Sequence, residues 1–240
     1  MKQMILMGTI VNTAAIIIGS LAGWLFRGVR EDIGKTVMQG IGLAVILLGL
    51  SMGLETKQFL LLIVSLVLGG MIGEWLNIEE GLLRLGNWVE RRFTSGGNGK
   101  VATAFVTATL VYTIGSMAIL GSLESGLKND HQILYTKAML DGFSSIIFTS
   151  TLGIGVIFSA IPVFLYQGII TVAASWISQY IAPTLLQQMI QEITAVGGLL
   201  IVGIGINLLE IAKIRVANLL PAIFVAAFLV YFIHRFSLSI

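Results

Sequence analysis

Cysteine is absent from this 240-residue chain, which excludes disulfide frameworks, thiolate-held zinc, iron–sulfur clusters and thiol catalysis. Histidine is nearly absent too. His131 and His234 are the only two and lie far apart in the sequence, so they offer little for a His-rich metal site. Asp, Glu, Lys and Arg together make up 11% of the residues, against about 25% in an average soluble domain. Apolar residues take their place: the chain is 56% hydrophobic, with a mean hydropathy of +0.96. This balance excludes a soluble globular protein, and equally a disordered one, which would be poor in apolar residues and rich in charge. Glycine is abundant at 28 of 240 residues, roughly 12% against about 7% on average, as helices that approach closely in lipid require. A net charge of +2 and a pI near 9.0 would superficially suit nucleic acid. The basic residues, however, punctuate apolar runs instead of forming a stripe, so they are read as topology signals and no nucleic-acid partner is expected. The first partner implied is the lipid bilayer.

A spanning helix needs about 20 mostly apolar residues at 1.5 Å rise each. The apolar runs predict an all-α bundle of eight spans at about 4–26, 36–54, 57–76, 101–122, 133–158, 161–182, 188–209 and 216–235, forming one transmembrane domain over 1–240. Seven spans are the alternative, because Ile146–Tyr166 is almost continuously apolar and only Gly153, Gly155 and Pro162 interrupt it. The first apolar segment lacks an Ala-x-Ala cleavage site and is expected to remain as a helix. With eight spans, the loops after spans 1, 3, 5 and 7 carry Arg27, Arg30, Lys35, Arg84, Arg91, Arg92, Lys100, Lys213 and Arg215. The opposite side carries Lys2, Lys57, Lys128 and Arg235, with Lys137 already inside span 5. Nine basic residues against four place both termini outside.

The loop over 77–100 has a pattern of its own. Ile78, Leu82, Leu85, Val89 and Phe93 share one helical face with Trp88 beside them, while Glu79, Glu80, Arg84, Glu90 and Arg91 lie elsewhere. This predicts an amphipathic helix that either lies in the cytoplasmic interface or packs on the protein's own inner surface. Ser95–Lys100 reads as a flexible glycine-rich linker, since it lacks the spacing and the hydroxyl residue of a phosphate loop.

A repeat at an offset of 152 residues relates Ile17, Ile18, Ala22, Trp24, Gln39, Ile41, Leu47, Leu48 and Gly53 to Ile169, Ile170, Ala174, Trp176, Gln191, Ile193, Leu199, Leu200 and Gly205. Chance matches between apolar segments are the alternative. If the repeat is real, spans 1–3 correspond to spans 6–8, and a shift of five spans inverts one set against the other, as in many secondary transporters.

Charge within the hydrocarbon costs roughly 2.5–3.5 kcal/mol per residue on insertion scales, so Lys137 and Asp141 need a reason. They lie one turn apart on the same face and can neutralise one another. A run of small and hydroxylated residues follows: Gly142, Ser144, Ser145, Thr149, Ser150 and Thr151. Such residues either hydrogen-bond between helices or line a hydrated path. The functional reading is a solute or proton site centred on Asp141; the structural alternative is an ion pair that fixes span 5. Thr103, Thr107, Thr109, Tyr112, Thr113 and Ser116 give span 4 a matching hydroxyl-rich surface. Asn12 in span 1 and Gln167 in span 6 suit either interhelical bonding or solute contact. Glu192, Asn207 and Glu210 fall near helix ends and are expected at the interface.

Enzyme chemistry is not expected. Gly142-Phe143-Ser144 would need a histidine base nearby, and His131 and His234 stand at segment ends. Asp141 is the only aspartate placed well within the membrane, so a catalytic aspartyl pair is also missing. No cofactor is expected.

Several stretches together carry a family resemblance: Gly8-Thr-Ile-Val-Asn12 with Gly19, Met38-Gln-Gly-Ile-Gly-Leu, and Gly115-Ser-Met-Ala-Ile-Leu-Gly121. Lys137-Ala-Met-Leu-Asp141-Gly-Phe-Ser-Ser is the most distinctive, followed by Thr151-Leu-Gly-Ile-Gly-Val, Ser159-Ala-Ile-Pro162 and Tyr166-Gln-Gly168. Over nearly its whole length the chain resembles the YdfK- and YqgA-like bacterial integral membrane proteins of unknown function. The resemblance implies a bacterial cytoplasmic-membrane protein, generally guessed to be a transporter, and supplies no substrate or catalytic residue. The residues themselves suggest a secondary transporter of a small polar solute or ion. Asp141 would be the coupling carboxylate and Lys137 its partner, with Asn12, Tyr112, Ser116, Ser144, Ser145, Thr149 and Gln167 around the solute. A passive pore and a non-transporting scaffold subunit are the alternatives, and a homodimer is compatible with a chain this small.

Overall fold

The computed structural model describes residues 5–25, 31–93 and 100–236, and their regular secondary structure is entirely helical. Ten α-helices follow in order: α1 (Met7–Leu25), α2 (Glu31–Gly53), α3 (Phe59–Leu76), α4 (Ile78–Phe93), α5 (Lys100–Thr113), α6 (Ser116–Lys128), α7 (Gln132–Leu152), α8 (Ala160–Tyr180), α9 (Pro183–Leu208) and α10 (Pro221–Phe236). Short 3-10 turns at Ile154–Ser159 and Val216–Leu219 lead into α8 and α10. Local sequence explains several boundaries. Asn77 takes the left-handed conformation and returns its N–H to the Glu74 carbonyl, closing α3. Pro183 and Pro221 open α9 and α10, where a missing N–H costs nothing. Gly115 (φ +135°) and Gly153 (φ +103°) occupy backbone conformations that side chains disfavour, and both stand at helix breaks.

Each expected span is found as a helix, with two refinements. Span 4 is broken: α5 and α6 meet at Gly115 with a bend of 61°. Spans 5 and 6 are separate helices divided by Gly153 and the 3-10 turn, so Ile146–Tyr166 is not one long helix. Among the described residues, six helices are long and apolar enough to cross a membrane, and the bent pair makes a seventh candidate. The expected fifth span, α7, is not among them; its Lys137, Asp141 and hydroxyl residues lower its hydropathy. The amphipathic helix is present as α4, with Leu83 and Trp88 exposed and Glu90, expected on the polar face, buried. Of the glycine-rich linker only Lys100 lies within the described residues; Lys2, Arg27 and Arg30 of the charge count also fall outside them.

Contacts group the chain into two compact units: one of Met1–Gly34, Leu83–Thr113 and Met117–Gln179, the other of Lys35–Leu82, Ile114–Ser116 and Tyr180–Ile240. In the first unit, α1 and α7 form the most extensive of the described helix pairs. Gly8 faces Leu134, Gly19 faces Gly142, and Gly23 faces Ile146, so the two helices run parallel. A Cβ on Gly19 or Gly23 would overlap a carbonyl oxygen of α7, and this close approach is what the small-residue spacing achieves. The 3-10 turn at Ile154–Ser159 packs on α5, where Gly155 meets the Val101 backbone.

In the second unit, α2 and α9 are antiparallel: Gly42 faces Gly205 and Leu209, and a Cβ on Gly49 would come within 2.6 Å of the Gly198 oxygen. α3 and α10 are also antiparallel, with Gly69 against Ala222 and, just ahead of α10, Gly73 against Asn218. Side chains fasten the turn before α10. Glu74 pairs with Arg215 and accepts from Asn218 Nδ2 at 2.7 Å; Asn218 Oδ1 accepts from the Glu79 N–H at 2.7 Å, and Glu79 Oε2 from the Ala217 N–H at 3.0 Å.

Glu192, expected near the interface, is buried within the protein against the α2–α3 connection and accepts hydrogen bonds from Thr56 Oγ1 at 2.5 Å and the Lys57 N–H at 3.0 Å. Gln191 adds a bond to the Glu55 carbonyl at 2.6 Å. The pair thus holds the α2–α3 connection by bonding its Lys57 N–H and Glu55 carbonyl. Glu192→Ala is expected to destabilise the protein by about 1–3 kcal/mol, because it leaves two donors unpaired. Thermal unfolding in detergent checks this, and an unchanged midpoint would refute it. Asn207 bonds both ways to Ile214 at 2.7 and 2.8 Å, and Glu210 is exposed.

Candidate functional site

The site lies in the first unit and begins with a helical row. Lys137, Asp141, Ser145 and Thr149 are spaced by four residues on α7, so they line one face. All four are buried. The matching face of α1 buries Thr9, Asn12, Ile16, Gly19, Ser20 and Gly23. Glycine on both helices brings these faces together.

Charge is concentrated at the middle of the contact. Lys137 Nζ stands 2.9 Å from Asp141 Oδ1 and 2.8 Å from Oδ2, and Asn12 Nδ2 donates to Oδ2 at 3.0 Å. Lys137 and Asp141 are each 6% exposed and Asn12 is fully enclosed. The pair is electrically balanced, and an amide from a second helix completes it. A second bond follows one turn along: Tyr112 on α5 and Ser145 share a hydrogen bond of 2.9 Å, both fully buried. The Tyr112 ring stacks on Phe148 at 6.1 Å between centroids, which fixes the phenol.

Two clusters therefore gather five of the nine predicted residues: Asn12, Lys137 and Asp141 in one, Tyr112 and Ser145 in the other. The remaining four are placed differently. Ser144 bonds back to the Leu140 carbonyl of its own helix at 2.8 Å. Thr149 is buried, and its hydroxyl has no hydrogen-bond partner. Gln167 on α8 is fully buried with neither amide atom bonded. Ser116 starts α6 and groups with the second unit, apart from the unit that holds Asp141.

Sequence reasoning passed over Thr9, Ser20 and Thr171. All three are buried with unbonded hydroxyls. The signal was present for α1, because Thr9, Asn12, Ile16, Gly19 and Gly23 recur at steps of three and four. Unpaired buried polar atoms are rare in folded proteins and call for a water, ion or solute. Asn12 Oδ1, beside Asp141, is another. Among the described residues no group of three or more His, Cys, Asp or Glu gathers. His131, weighed above as a base, bonds Ser125 through Nδ1 at 2.7 Å.

No solved structure matches the chain. An uncharacterized membrane protein of Bacillus subtilis, YdfK, is 36% identical over 236 residues, covering 96% of this chain and 98% of its own. The uncharacterized protein YqgA of Escherichia coli is 26% identical over 224 residues, covering 91% and 94%. The family model described as "Protein of unknown function (DUF554)" matches residues 7–231. With nearly its whole length matched and its helices long and apolar, this chain is a membrane protein that belongs to the DUF554 family.

Proposed function

We propose that the chain is a secondary transporter of a small polar solute or ion in the bacterial cytoplasmic membrane, with Asp141 as the coupling carboxylate and Lys137 as its internal counter-ion. The observation that carries this reading is the enclosed Asn12–Asp141–Lys137 cluster between two glycine-packed helices. Folding alone gives little reason for it. Replacing a buried ion pair by apolar residues of similar volume is often neutral or stabilising, and each charge raises the cost of insertion. Groups that are costly to the fold and held in good geometry fit a role in binding. Unbonded Thr9, Thr149 and Asn12 Oδ1 add spare hydrogen-bonding capacity in the same unit.

Helix directions support eight crossings. Parallel α1 and α7 require an odd number of crossings between them, and α2, α3 and the bent α5–α6 pair supply three when the pair crosses once. α7 and α8 then count as crossings five and six, and α9 and α10 as seven and eight. The antiparallel pairs α2/α9 and α3/α10 fit the same count. With basic residues inside, both termini lie outside.

The test is a thermal-stability screen of purified protein against ions, amino acids, organic acids and polyamines, followed by flux of each hit into proteoliposomes. Wild type is expected to be stabilised by one solute class, by about 2.7 kcal/mol at 100 times the dissociation constant. Asp141→Asn is expected to lose that stabilisation and the saturable flux. Stabilisation and flux that persist unchanged in Asp141→Asn would remove Asp141 from the mechanism.

A further inference from the structure

The ammonium of Lys137 shows what Asp141 is built to receive. It donates to both carboxylate oxygens, at 2.9 and 2.8 Å, on the end of a flexible four-carbon stem. In effect the site holds a tethered alkylammonium. A cationic group that takes over both Asp141 oxygens displaces this tether, and the released Lys137 charge then needs an anion within reach in a low-dielectric setting. A simple cation supplies none, so it strands Lys137. A simple anion that draws Lys137 away strands Asp141. A solute that carries both charges satisfies both residues at once: its ammonium takes the place of Lys137 on Asp141, and its carboxylate receives Lys137. Two salt bridges replace one, and the buried cluster remains neutral throughout.

Further features narrow the class. Asn12 donates to Asp141 through Nδ2 while its Oδ1 is buried without a partner, and an ammonium on Asp141 has a third N–H to offer such an acceptor. The nitrogen must therefore carry hydrogens. The α1–α7 contact leaves little space, since Gly19 meets Gly142 and Gly23 meets Ile146 backbone to backbone, so the solute must be small. We infer that the transported solute is a small zwitterion with a primary ammonium, an α-amino acid of the size of glycine, alanine or serine. This inference rests on the transport reading above and names its substrate class.

Isothermal titration calorimetry on the full-length protein in detergent tests it, with glycine, L-alanine and L-serine as probes. Methylammonium, acetate and trimethylglycine are the comparisons. At least one amino acid is expected to bind saturably. Methylammonium and acetate, each stranding one buried charge, are expected to bind roughly a hundredfold or more weakly. Trimethylglycine has both charges but no N–H, and is expected not to bind. The wild-type series decides the matter even if variants fold poorly; where they fold, Asp141→Asn and Lys137→Met are each expected to abolish amino-acid binding. Failure of all three amino acids overturns the inference. So does equal binding of methylammonium or acetate, or amino-acid binding that Asp141→Asn leaves unchanged. If a simple ion binds and depends on Asp141, the zwitterion is wrong while the transport reading stands. If no solute of any class stabilises or crosses, both fall.

Discussion

Lys137→Met is expected to lose about 3–5 kcal/mol of stability, the usual cost of leaving one member of a buried ion pair without its counter-charge. Asp141 would keep only the Asn12 amide at 3.0 Å, and a single neutral donor does not replace an ammonium on both oxygens. The double variant Lys137→Met/Asp141→Leu is expected to regain part of the loss, since it leaves no unpaired charge between α1 and α7, although the buried Asn12 Nδ2 loses its acceptor. Thermal and chemical unfolding of wild type, both single variants and the double variant in one detergent form a cycle that isolates the pair. Additive costs, with the double variant less stable than either single, would show that the pair does not act as a unit. The stable double variant should also be inactive in flux, which separates the pair's place in the fold from its place in function.

Gly19→Ala is the second substitution expected to act strongly. The added Cβ would overlap the Gly142 carbonyl oxygen and stand 3.1 Å from the Ser145 Cβ. A backbone carbonyl inside a helix cannot rotate aside as a side chain can, so the helices must separate. Overpacking of this kind costs about 1–3 kcal/mol, occasionally more. The consequence for the site is larger than the energy suggests, because Asn12 and Asp141 meet across the same contact, two turns away along α1. Gly19→Ala is therefore expected to lower the unfolding midpoint and abolish solute-dependent stabilisation together. Gly40 on α2 is the control: nothing lies within 4 Å of a Cβ there, and Gly40→Ala is expected to be neutral or stabilising by about 0.5–1 kcal/mol through helix propensity. Equal effects of the two substitutions would mean that close packing at Gly19 is not what positions the cluster.

Much of this was legible in residue order alone because the bilayer imposes a simple rule. Apolar length reports a span, since every backbone group in lipid must be bonded within a helix or a closed barrel. The expected spans are helical, one of them broken at Gly115, and α4 follows from its amphipathic period. Lys137 and Asp141 were legible for the same reason: they are i, i+4 neighbours, and the helix itself brings them together whatever surrounds it. Tyr112 and Ser145 stood out as hydroxyl carriers, although nothing in their spacing linked one to the other.

Contacts between distant segments required the tertiary structure. Asn12 lies 129 residues from Asp141 in sequence, and only the parallel docking of α1 on α7 brings its amide to the carboxylate. Hydropathy at residue 12 cannot distinguish an amide that bonds another helix from one that meets a solute. Position near a helix end could not show that Glu192 is buried, because its donors come from the distant turn at Thr56 and Lys57. Ser116 was grouped with Tyr112 by helical continuity, and the break at Gly115 divides them between different units. Sequence by itself determined the solvent of this protein, its helices and the neutral pair on α7, because each depends on composition or on neighbours within about one turn. The three-dimensional fold alone decided which polar residues meet that pair, because backbone approach at paired glycines is a property of two helices at once and is written in neither.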